Sequence, residues 1–265
     1  MSSNNFIQRK MFSSWWKGST AFSCDLGEEI KLNGRLLGAG SFGQLHSGTQ
    51  KATSNKVSVF VCSESDSSKL ASANAAVKKL KTLRHPSVVL YIDSSQESEK
   101  PPLLCATENV EPLLIHLNQG VPEDLEVQTK AQYLSWGILQ VFRGVAFLHE
   151  ANLVHGSLHA GSVFVTLGGE WKLFGFEQMK STQNSNDSVV KSHWPALNKY
   201  LPPELEKNPG LEPNPAQVNY KIYELFLLEF FFNYINVNIT KNILGYVGPW
   251  MPYMGSLQWN FNPSQ

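Results

Sequence analysis

The stretch from Leu153 to Glu177 decides the fold, and it reads LVHGSLHAGSVFVTLGGEWKLFGFE. A β-branched and aromatic run, Val163-Phe164-Val165, lies at its centre and predicts a short strand. Ser157 and Ser162 precede that strand, and Gly175 follows it. A serine hydroxyl cannot hold a proton taken from a substrate near neutral pH, and glycine has no side chain that could bind a metal ion. The stretch therefore lacks acid–base and metal-binding groups at these three positions.

The order of these residues resembles the catalytic loop and the magnesium loop of a protein kinase, in which H-R-D-L-K-x-x-N is followed by D-F-G. His155 to Ser162 correspond to the first motif and Gly175-Phe176-Glu177 to the second. On this frame Ser157 replaces the catalytic aspartate, while Ser162 and Gly175 replace the two magnesium ligands. We therefore expect no catalytic residue and no metal site. The open alternative is a weak kinase in which Glu177, two residues past Gly175, reaches a metal ion.

Composition is compatible with one kinase-sized domain. The chain has 265 residues, of which 42% are hydrophobic and 17% are charged, and its 22 basic residues equal its 22 acidic residues. This balance gives no reason to expect a nucleic acid or an anionic membrane as a partner. Cys24, Cys62 and Cys105 are few and far apart, which favours a reducing compartment without a disulfide framework. The apolar run Ile222 to Ile235 is too short to span a bilayer, so we expect no transmembrane segment.

A glycine-rich motif and a lysine position lie in the first third of the chain. Gly38, Gly40 and Gly43 form G-x-G-x-x-G between apolar residues, as expected for two strands joined by a turn that approaches phosphates. Val57 to Val61 is β-branched and predicts the third strand. The fourth position of the V-A-I-K motif of kinases is here Phe60, whose ring cannot pair with phosphate and would fill the nucleotide pocket.

The partner of that missing lysine is also absent. Leu70 to Leu83 has apolar residues at helical spacing, and Ala76 stands where a kinase has the glutamate that pairs with the lysine. Losing both partners is physically coherent, because a lone buried charge costs more than no pair. Lys56 at the start of the third strand is the alternative candidate for the lysine role.

Leu103 to Val110 predicts the fifth strand running into the hinge of a kinase. Thr107 would be the gatekeeper, and Glu108 to Val110 would offer backbone groups to an adenine. Because this contact uses main chain only, it could survive the loss of every catalytic side chain. No cofactor is required by this interpretation, and the alternative is that ATP binds without magnesium, held by the three glycines and by Glu108 and Val110.

The remaining landmarks follow in kinase order. Gln119 to Lys130 is polar and predicts turns, and Tyr133 to Glu150 carries one apolar stripe and predicts a helix. Met179 to Ala196 is polar, as an activation segment would be, and Tyr200 to Glu204 matches the A-P-E motif that closes such a segment. The chain has no arginine after Arg143, so Glu204 lacks the partner that kinases give it.

Several phrases together are similar to the N-terminal kinase-like proteins, which are the Scy-like pseudokinases, over roughly Ile30 to Glu206. The phrases are VSVFV, KKLKTLRHP, LHEANLVHGSLHAGSVFV, GEWKLFGFE and KYLPPEL. The resemblance implies a scaffold in Golgi-to-reticulum membrane traffic, with coatomer or other traffic proteins as partners. It also implies a cytoplasmic protein that associates peripherally with Golgi membranes.

The sequence thus predicts an α+β, two-lobed protein-kinase-like fold. We expect a flexible segment over residues 1–29, a β-rich N-lobe with its hinge over 30–110, a mainly helical and incomplete C-lobe over 111–232, and a divergent tail over 233–265. The predicted function is that of a catalytically inactive binding or scaffold module. The alternative is a nucleotide-binding protein with weak or residual protein Ser/Thr kinase activity.

Overall fold

The computed structural model describes residues 22–30, 42–63, 66–95, 102–120, 126–156 and 158–181. Four predicted features lie outside these residues: the glycines Gly38 and Gly40, Ser157, the activation segment after residue 181 with the A-P-E-like motif that closes it, and the tail. The described residues form a mixed α+β structure with an antiparallel sheet in its first part and the longest helix in its second, which confirms the predicted fold class.

A five-stranded antiparallel sheet makes up most of the first part, in the order β1-β2-β3-β5-β4. Its strands are β1 Cys24–Glu29, β2 Gln44–Gln50, β3 Lys56–Cys62, β4 Tyr91–Ser94 and β5 Leu103–Glu108. After its first residue β3 is buried on both faces. Val57, Val59 and Val61 pack on one face of the sheet, and Phe60 and Cys62 lie in the main core on the other. A strand buried on both faces explains the run of consecutive apolar residues in the sequence.

The start of this sheet corrects one predicted boundary. Residues 24–29 form β1 and are not part of a flexible lead-in, because Phe22 and Cys24 are buried against the sheet. Ser23 anchors the entry, since its backbone N–H and its hydroxyl both donate to Asp93 Oδ2, at 2.7 and 2.6 Å. The sheet therefore begins before residue 30.

Helix α1, Ser67–Thr82, follows β3 and packs on the core face of the sheet. Asp66 caps its N-terminus, because the Asp66 carboxylate accepts a hydrogen bond from the Ser68 backbone N–H. Its buried residues recur at helical spacing, as the sequence predicts; they are Leu70, Ala73, Ala76, Val77 and Leu80.

The second part begins at strand β6, Val110–Pro112, which runs into the short helix α2, Leu113–Ile115, and a π-helical turn, His116–Gly120. Helix α3, Val127–Glu150, follows, and then come four short strands: β7 Leu153–Val154, β8 Val163–Thr166, β9 Trp171–Leu173 and β10 Lys180–Ser181. Strands β6, β8 and β9 form one antiparallel sheet, and β7 pairs with β10.

Helix α3 confirms the predicted apolar stripe, because Leu134, Ile138, Val141, Val145 and Leu148 are all buried. It begins at Val127, within the range that the sequence assigns to turns, so that assignment is wrong for its last residues. Gly137 allows the close approach of α3 to β9, since a Cβ there would lie 2.3 Å from the Trp171 ring. Within the part of the chain that the structure describes, no helix has the length and apolar character that crossing a membrane needs.

Candidate functional site

Four phenylalanine side chains fill the cleft between β3 and the β8–β9 sheet; we call them the aromatic cluster, and they are Phe42, Phe60, Phe164 and Phe174. Phe60 and Phe174 stack with their ring centroids 3.9 Å apart and an angle of 18° between the rings. Phe164 meets both of these rings edge-on, at 5.0 and 5.6 Å. None of the four side chains is more than 6% exposed. The lysine position is therefore part of a hydrophobic core.

The chain supplies this cluster from four separate elements. Phe42 precedes β2, Phe60 lies in β3, Phe164 lies in β8, and Phe174 directly precedes Gly175. Aromatic pairs at these distances contribute about 0.5–1.5 kcal/mol each beyond the burial of their area. The cluster thus ties the glycine-motif end of the first sheet to the degenerate magnesium loop.

The hinge groups that the sequence assigns to an adenine are used within the protein. The Val110 N–H donates to the Ser58 hydroxyl at 2.9 Å, and that hydroxyl donates to the Val110 carbonyl at 2.8 Å. The Glu108 carbonyl accepts from the Thr107 hydroxyl at 3.0 Å, and the Glu108 N–H donates to the Leu90 carbonyl at 3.0 Å. Ser58 and Thr107 are both fully buried. Glu108 and Val110 therefore have internal partners where the sequence interpretation expected a ligand.

The Glu108 side chain forms a half-buried ion pair that the sequence did not reveal. Lys172 Nζ lies 3.0 Å from each carboxylate oxygen of Glu108, and the Leu90 N–H donates to Glu108 Oε1 at 2.7 Å. Lys172 is in β9, so the pair links the end of the first sheet to the second. The two side chains keep 11% and 23% of their exposure, and the exposed Glu170 carboxylate lies 3.7 Å from Lys172 Nζ as a second partner. A pair of partly buried charges persists when each charge has such partners.

In the catalytic-loop region, Ser162 uses its hydroxyl locally. The Ser162 hydroxyl accepts from the His159 N–H at 3.0 Å and donates to the His159 carbonyl at 2.8 Å. His159 Nδ1 in turn accepts from the Gly161 N–H, which closes a short 3₁₀ turn, Ala160–Ser162. Ser162 thus stabilises the turn before β8, and its hydroxyl proton is not directed at a ligand.

Gly175 stands at the magnesium-aspartate position in the left-handed region of backbone space, with φ +83°. An L side chain is strained there, and a Cβ would lie 3.3 Å from the Cβ of Ser162. Glu177, the alternative metal ligand, is half-buried two residues later. Among the described residues no group of three or more His, Cys, Asp or Glu side chains could hold a metal ion.

The position at which a kinase helix carries its glutamate also lacks a charged side chain. Ala76 is buried on α1 and brings no carboxylate toward Phe60. One helical turn later, Lys79 Nζ donates to the Phe176 carbonyl at 3.3 Å and to the Met179 carbonyl. The sequence indicates only that Lys79, three residues after Ala76, shares its side of the helix, and it does not indicate the distant carbonyls that Lys79 binds. Lys56, the other lysine considered, is exposed at the start of β3.

His155 is a buried neutral imidazole. Its Nε2 donates to the Phe174 carbonyl at 3.0 Å, and its ring packs against Phe176 with centroids 5.2 Å apart. Burial lowers the pKa of His155 from 6.5 to about 4, a shift that the Phe174 hydrogen bond opposes and the nearby Lys79 charge reinforces. The side chain therefore holds the strand before Gly175 in place and carries no charge at neutral pH.

Comparison with known proteins gives consistent matches. The family model for protein tyrosine and serine/threonine kinases matches residues 31–213. The "Probable inactive serine/threonine-protein kinase scy1" of Dictyostelium discoideum is 33% identical over 62% of this chain and 19% of its own length. "SCY1-like protein 2" of Mus musculus is 27% identical over 60% of this chain and 19% of its own length. "Protein-associating with the carboxyl-terminal domain of ezrin", also from Mus musculus, is 34% identical over 51% of this chain and 17% of its own length.

Proposed function

Because the chain belongs to the protein tyrosine and serine/threonine kinase family and resembles SCY1-like members of it, we propose that it is a pseudokinase module that binds proteins and transfers no phosphoryl group. The chain spans less than a quarter of the length of the SCY1-like relatives that it matches, so this proposal concerns the kinase-like module alone. A relative whose name calls it a probable inactive kinase supports the same interpretation.

One observation carries the proposal: Phe60, in place of the phosphate-binding lysine, is stacked on Phe174 directly before the glycine that replaces the magnesium aspartate. A phosphoryl-transfer site works by positioning and by stabilising charge with lysine and magnesium. Each missing acid–base or electrostatic group typically costs a factor of about 10²–10⁴ in rate. These losses are not additive, but several of them together leave little transfer activity.

The activity test is direct. The purified chain is incubated with radiolabelled ATP, a general protein substrate and either magnesium or manganese, and we expect no transfer of the γ-phosphate above a no-protein control. Transfer above that control would overturn the proposal. Its loss in Glu177→Ala but not in Glu170→Ala, an exposed glutamate nearby in sequence, would support the alternative of a weak kinase.

We further propose that the module works without a nucleotide. The aromatic cluster occupies the cleft, and Ser58 already satisfies both backbone groups of Val110. The alternative, ATP bound without magnesium, is favoured by the motif Gly38, Gly40 and Gly43 and by the open space around Gly43. A ligand present at 100 times its dissociation constant stabilises a protein by about 2.7 kcal/mol, so a thermal-shift series with ATP tests the point. We expect no shift with or without magnesium, and a shift without magnesium would favour the alternative.

The name of one relative supports another protein as the binding partner of this module. One relative is named for its association with the carboxyl-terminal domain of ezrin, which is a protein–protein contact. The Scy-like resemblance points to coatomer or other traffic proteins at the cytoplasmic face of Golgi membranes. Direct binding of the purified chain to purified coatomer, with an active protein kinase domain as control, tests this part. Equal binding of both proteins, or none, would overturn it without affecting the proposed lack of phosphoryl transfer.

A further inference from the structure

Helix α1 contacts the degenerate magnesium loop through a lysine as well as through its apolar face. Lys79 Nζ donates to the carbonyl of Phe176 at 3.3 Å and to that of Met179. These two carbonyls flank the 3₁₀ turn Phe176–Gln178, and the side chains of Phe176 and Met179 are buried. The contact thus joins two segments that are far apart in sequence.

The chemistry of this contact is favourable. The Phe176 carbonyl also accepts the Met179 N–H at 3.2 Å, and its second lone pair is available to the lysine ammonium. A carbonyl oxygen carries partial negative charge, so a cation placed against it is stabilised. A hydrogen bond to a charged group is stronger than one between neutral groups. The apolar residues Ala76 and Leu80 hold this side of α1 against the core, so the lysine stem follows a packed surface to its acceptors.

An active kinase positions the corresponding helix with the ion pair between its β3 lysine and the helix glutamate. Here those positions are Phe60 and Ala76, and both are buried without a charge. The packing of α1 on the turn at Phe176 nonetheless persists. The charge of Lys79 is on the helix itself, and the Phe176 and Met179 carbonyls that accept its hydrogen bonds are backbone groups, which no side-chain substitution removes.

We propose that Lys79 is a positioning residue that locks α1 to the degenerate magnesium loop in place of the lost ion pair, so that this face of the module stays formed without a nucleotide. The inference rests on the proposed function, since it concerns a module that has no phosphoryl-transfer cycle. The lock extends to strand β10, because Lys180 follows Met179 directly and pairs with Val154 of β7.

Hydrogen exchange on the full chain tests the lock. In Lys79→Met, which keeps the length of the stem but removes the charge and the donors, we expect exchange of the amides around Met179 and Lys180 to rise by about tenfold or more, as the loss of a charge-assisted hydrogen bond implies. Amides of β3 and β5 should change far less. Lys79→Arg should restore most of the protection, and Lys78→Met, at the exposed neighbouring position, should leave it unchanged.

Unchanged exchange at Met179 in Lys79→Met, or an equal rise throughout β3 and β5, would overturn the lock. A measurement without any variant covers the case in which Lys79→Met does not fold. In the wild-type chain, a limiting amount of an amine-acylating reagent should modify Lys79 much more slowly than Lys78, and equal rates would also overturn it. Neither result depends on γ-phosphate transfer, so the proposed lack of activity stands or falls separately.

Discussion

Phe60 shows how one substitution removes the need for a carboxylate at a second position. A lysine at this position of β3 would carry a buried charge, and Ala76, which stands at the kinase glutamate position of α1, would offer it no carboxylate. A phenylalanine removes the need for a partner and gains the stack on Phe174. The pair of substitutions is therefore consistent, because an unpaired buried charge is more costly than an apolar pair of similar volume.

This consistency predicts the outcome of restoring the lysine. Phe60→Lys should lower the free energy of unfolding by about 3 kcal/mol or more, because it buries an unpaired ammonium and breaks the ring stack. Phe60→Leu is the matched apolar control and should cost less. The double variant Phe60→Lys/Ala76→Glu should recover part of the loss, because it supplies a carboxylate at the position where kinases carry the partner of this lysine. Urea unfolding measures all three, and a Phe60→Lys variant as stable as Phe60→Leu would contradict the interpretation.

His155 gives a pH dependence with a definite sign. Burial lowers the pKa of His155 from its ordinary value of 6.5 to about 4 in the folded protein, so the unfolded chain binds the proton more readily. The contribution of His155 is complete above pH 6.5 and is lost as the pH falls toward 4. The full loss is about 3 kcal/mol, and about 2 kcal/mol of it occurs by pH 5.

The measurement compares wild type with His155→Gln, which stays neutral at every pH in that range. The free energy of unfolding of the wild-type chain should fall more steeply between pH 7.5 and pH 5 than that of His155→Gln. Burial also lowers the pKa of His85 and of His149, so these two groups contribute to the pH dependence of both proteins. The difference between the two proteins therefore isolates the contribution of His155. Parallel curves would show that His155 is not held neutral by its site.

At the scale of the elements, the Ser58 hydroxyl joins strand β3 to the hinge. Ser58 bonds both the N–H and the carbonyl of Val110, so Ser58→Ala leaves two buried backbone groups without that partner. We expect this change to lower the free energy of unfolding by about 1–3 kcal/mol, the usual penalty for unsatisfied buried groups. Ser63→Ala, an exposed serine just after β3, is the control and should be neutral within about 0.5 kcal/mol. Equal effects of the two changes would contradict the role of Ser58.

The elements that the sequence predicts well are those with a periodic or motif-like signal. The β-branched run Val57 to Val61 lies inside β3, and the apolar spacing from Leu70 to Leu83 follows α1 to within a few residues. Strand β1 was missed because its alternation is weak and ends in two glutamates, Glu28 and Glu29. The start of α3 was missed because its first turns are polar.

The contacts that close the site could not be predicted, for a different reason. Each of these contacts joins two residues that lie far apart in sequence. The pairs are Ser58 with Val110, Lys79 with Phe176, and Glu108 with Lys172. Each residue taken alone is an ordinary serine, lysine or glutamate, and only the fold brings it to its partner. What the sequence does predict is the loss of charged groups at the kinase motif positions, since a residue type at a motif position is visible without the fold.

For the molecule as a whole, several links join the two parts of the chain. Besides the aromatic cluster and Lys79, the Leu173 N–H donates to the Ser87 carbonyl at 2.8 Å, and the Val89 N–H donates to the Leu173 carbonyl at 3.0 Å. These backbone bonds place the loop before β4 directly against β9. An enzyme that must open and close around ATP needs lobes that move, whereas a binding module benefits from lobes held in one arrangement.

The ion pair of Glu108 and Lys172 is the link that can be tested most cleanly, because it can be removed from either side. Lys172→Met leaves the mostly buried Glu108 carboxylate with the Leu90 N–H beside it, and Glu108→Gln leaves the ammonium with a neutral amide and the exposed Glu170 carboxylate, which lies 3.7 Å away. Breaking one side of a well-buried pair costs about 3–5 kcal/mol, and the partial exposure here lowers that to roughly 2 kcal/mol for each single variant.

The double variant Glu108→Gln/Lys172→Met should cost clearly less than the two single losses added together, because it removes the uncompensated charge as well as the pair. Hydrogen exchange of β3 and β8 amides should then show whether the two sheets still unfold together. If the pair and the other links make one cooperative unit, both sets of amides lose protection at the same denaturant concentration in the wild-type chain. The losses of the two single variants could instead add up, or the β8 amides could lose protection while the β3 amides keep it. Either result would mean that the two sheets unfold independently and that the aromatic cluster alone closes the cleft between them.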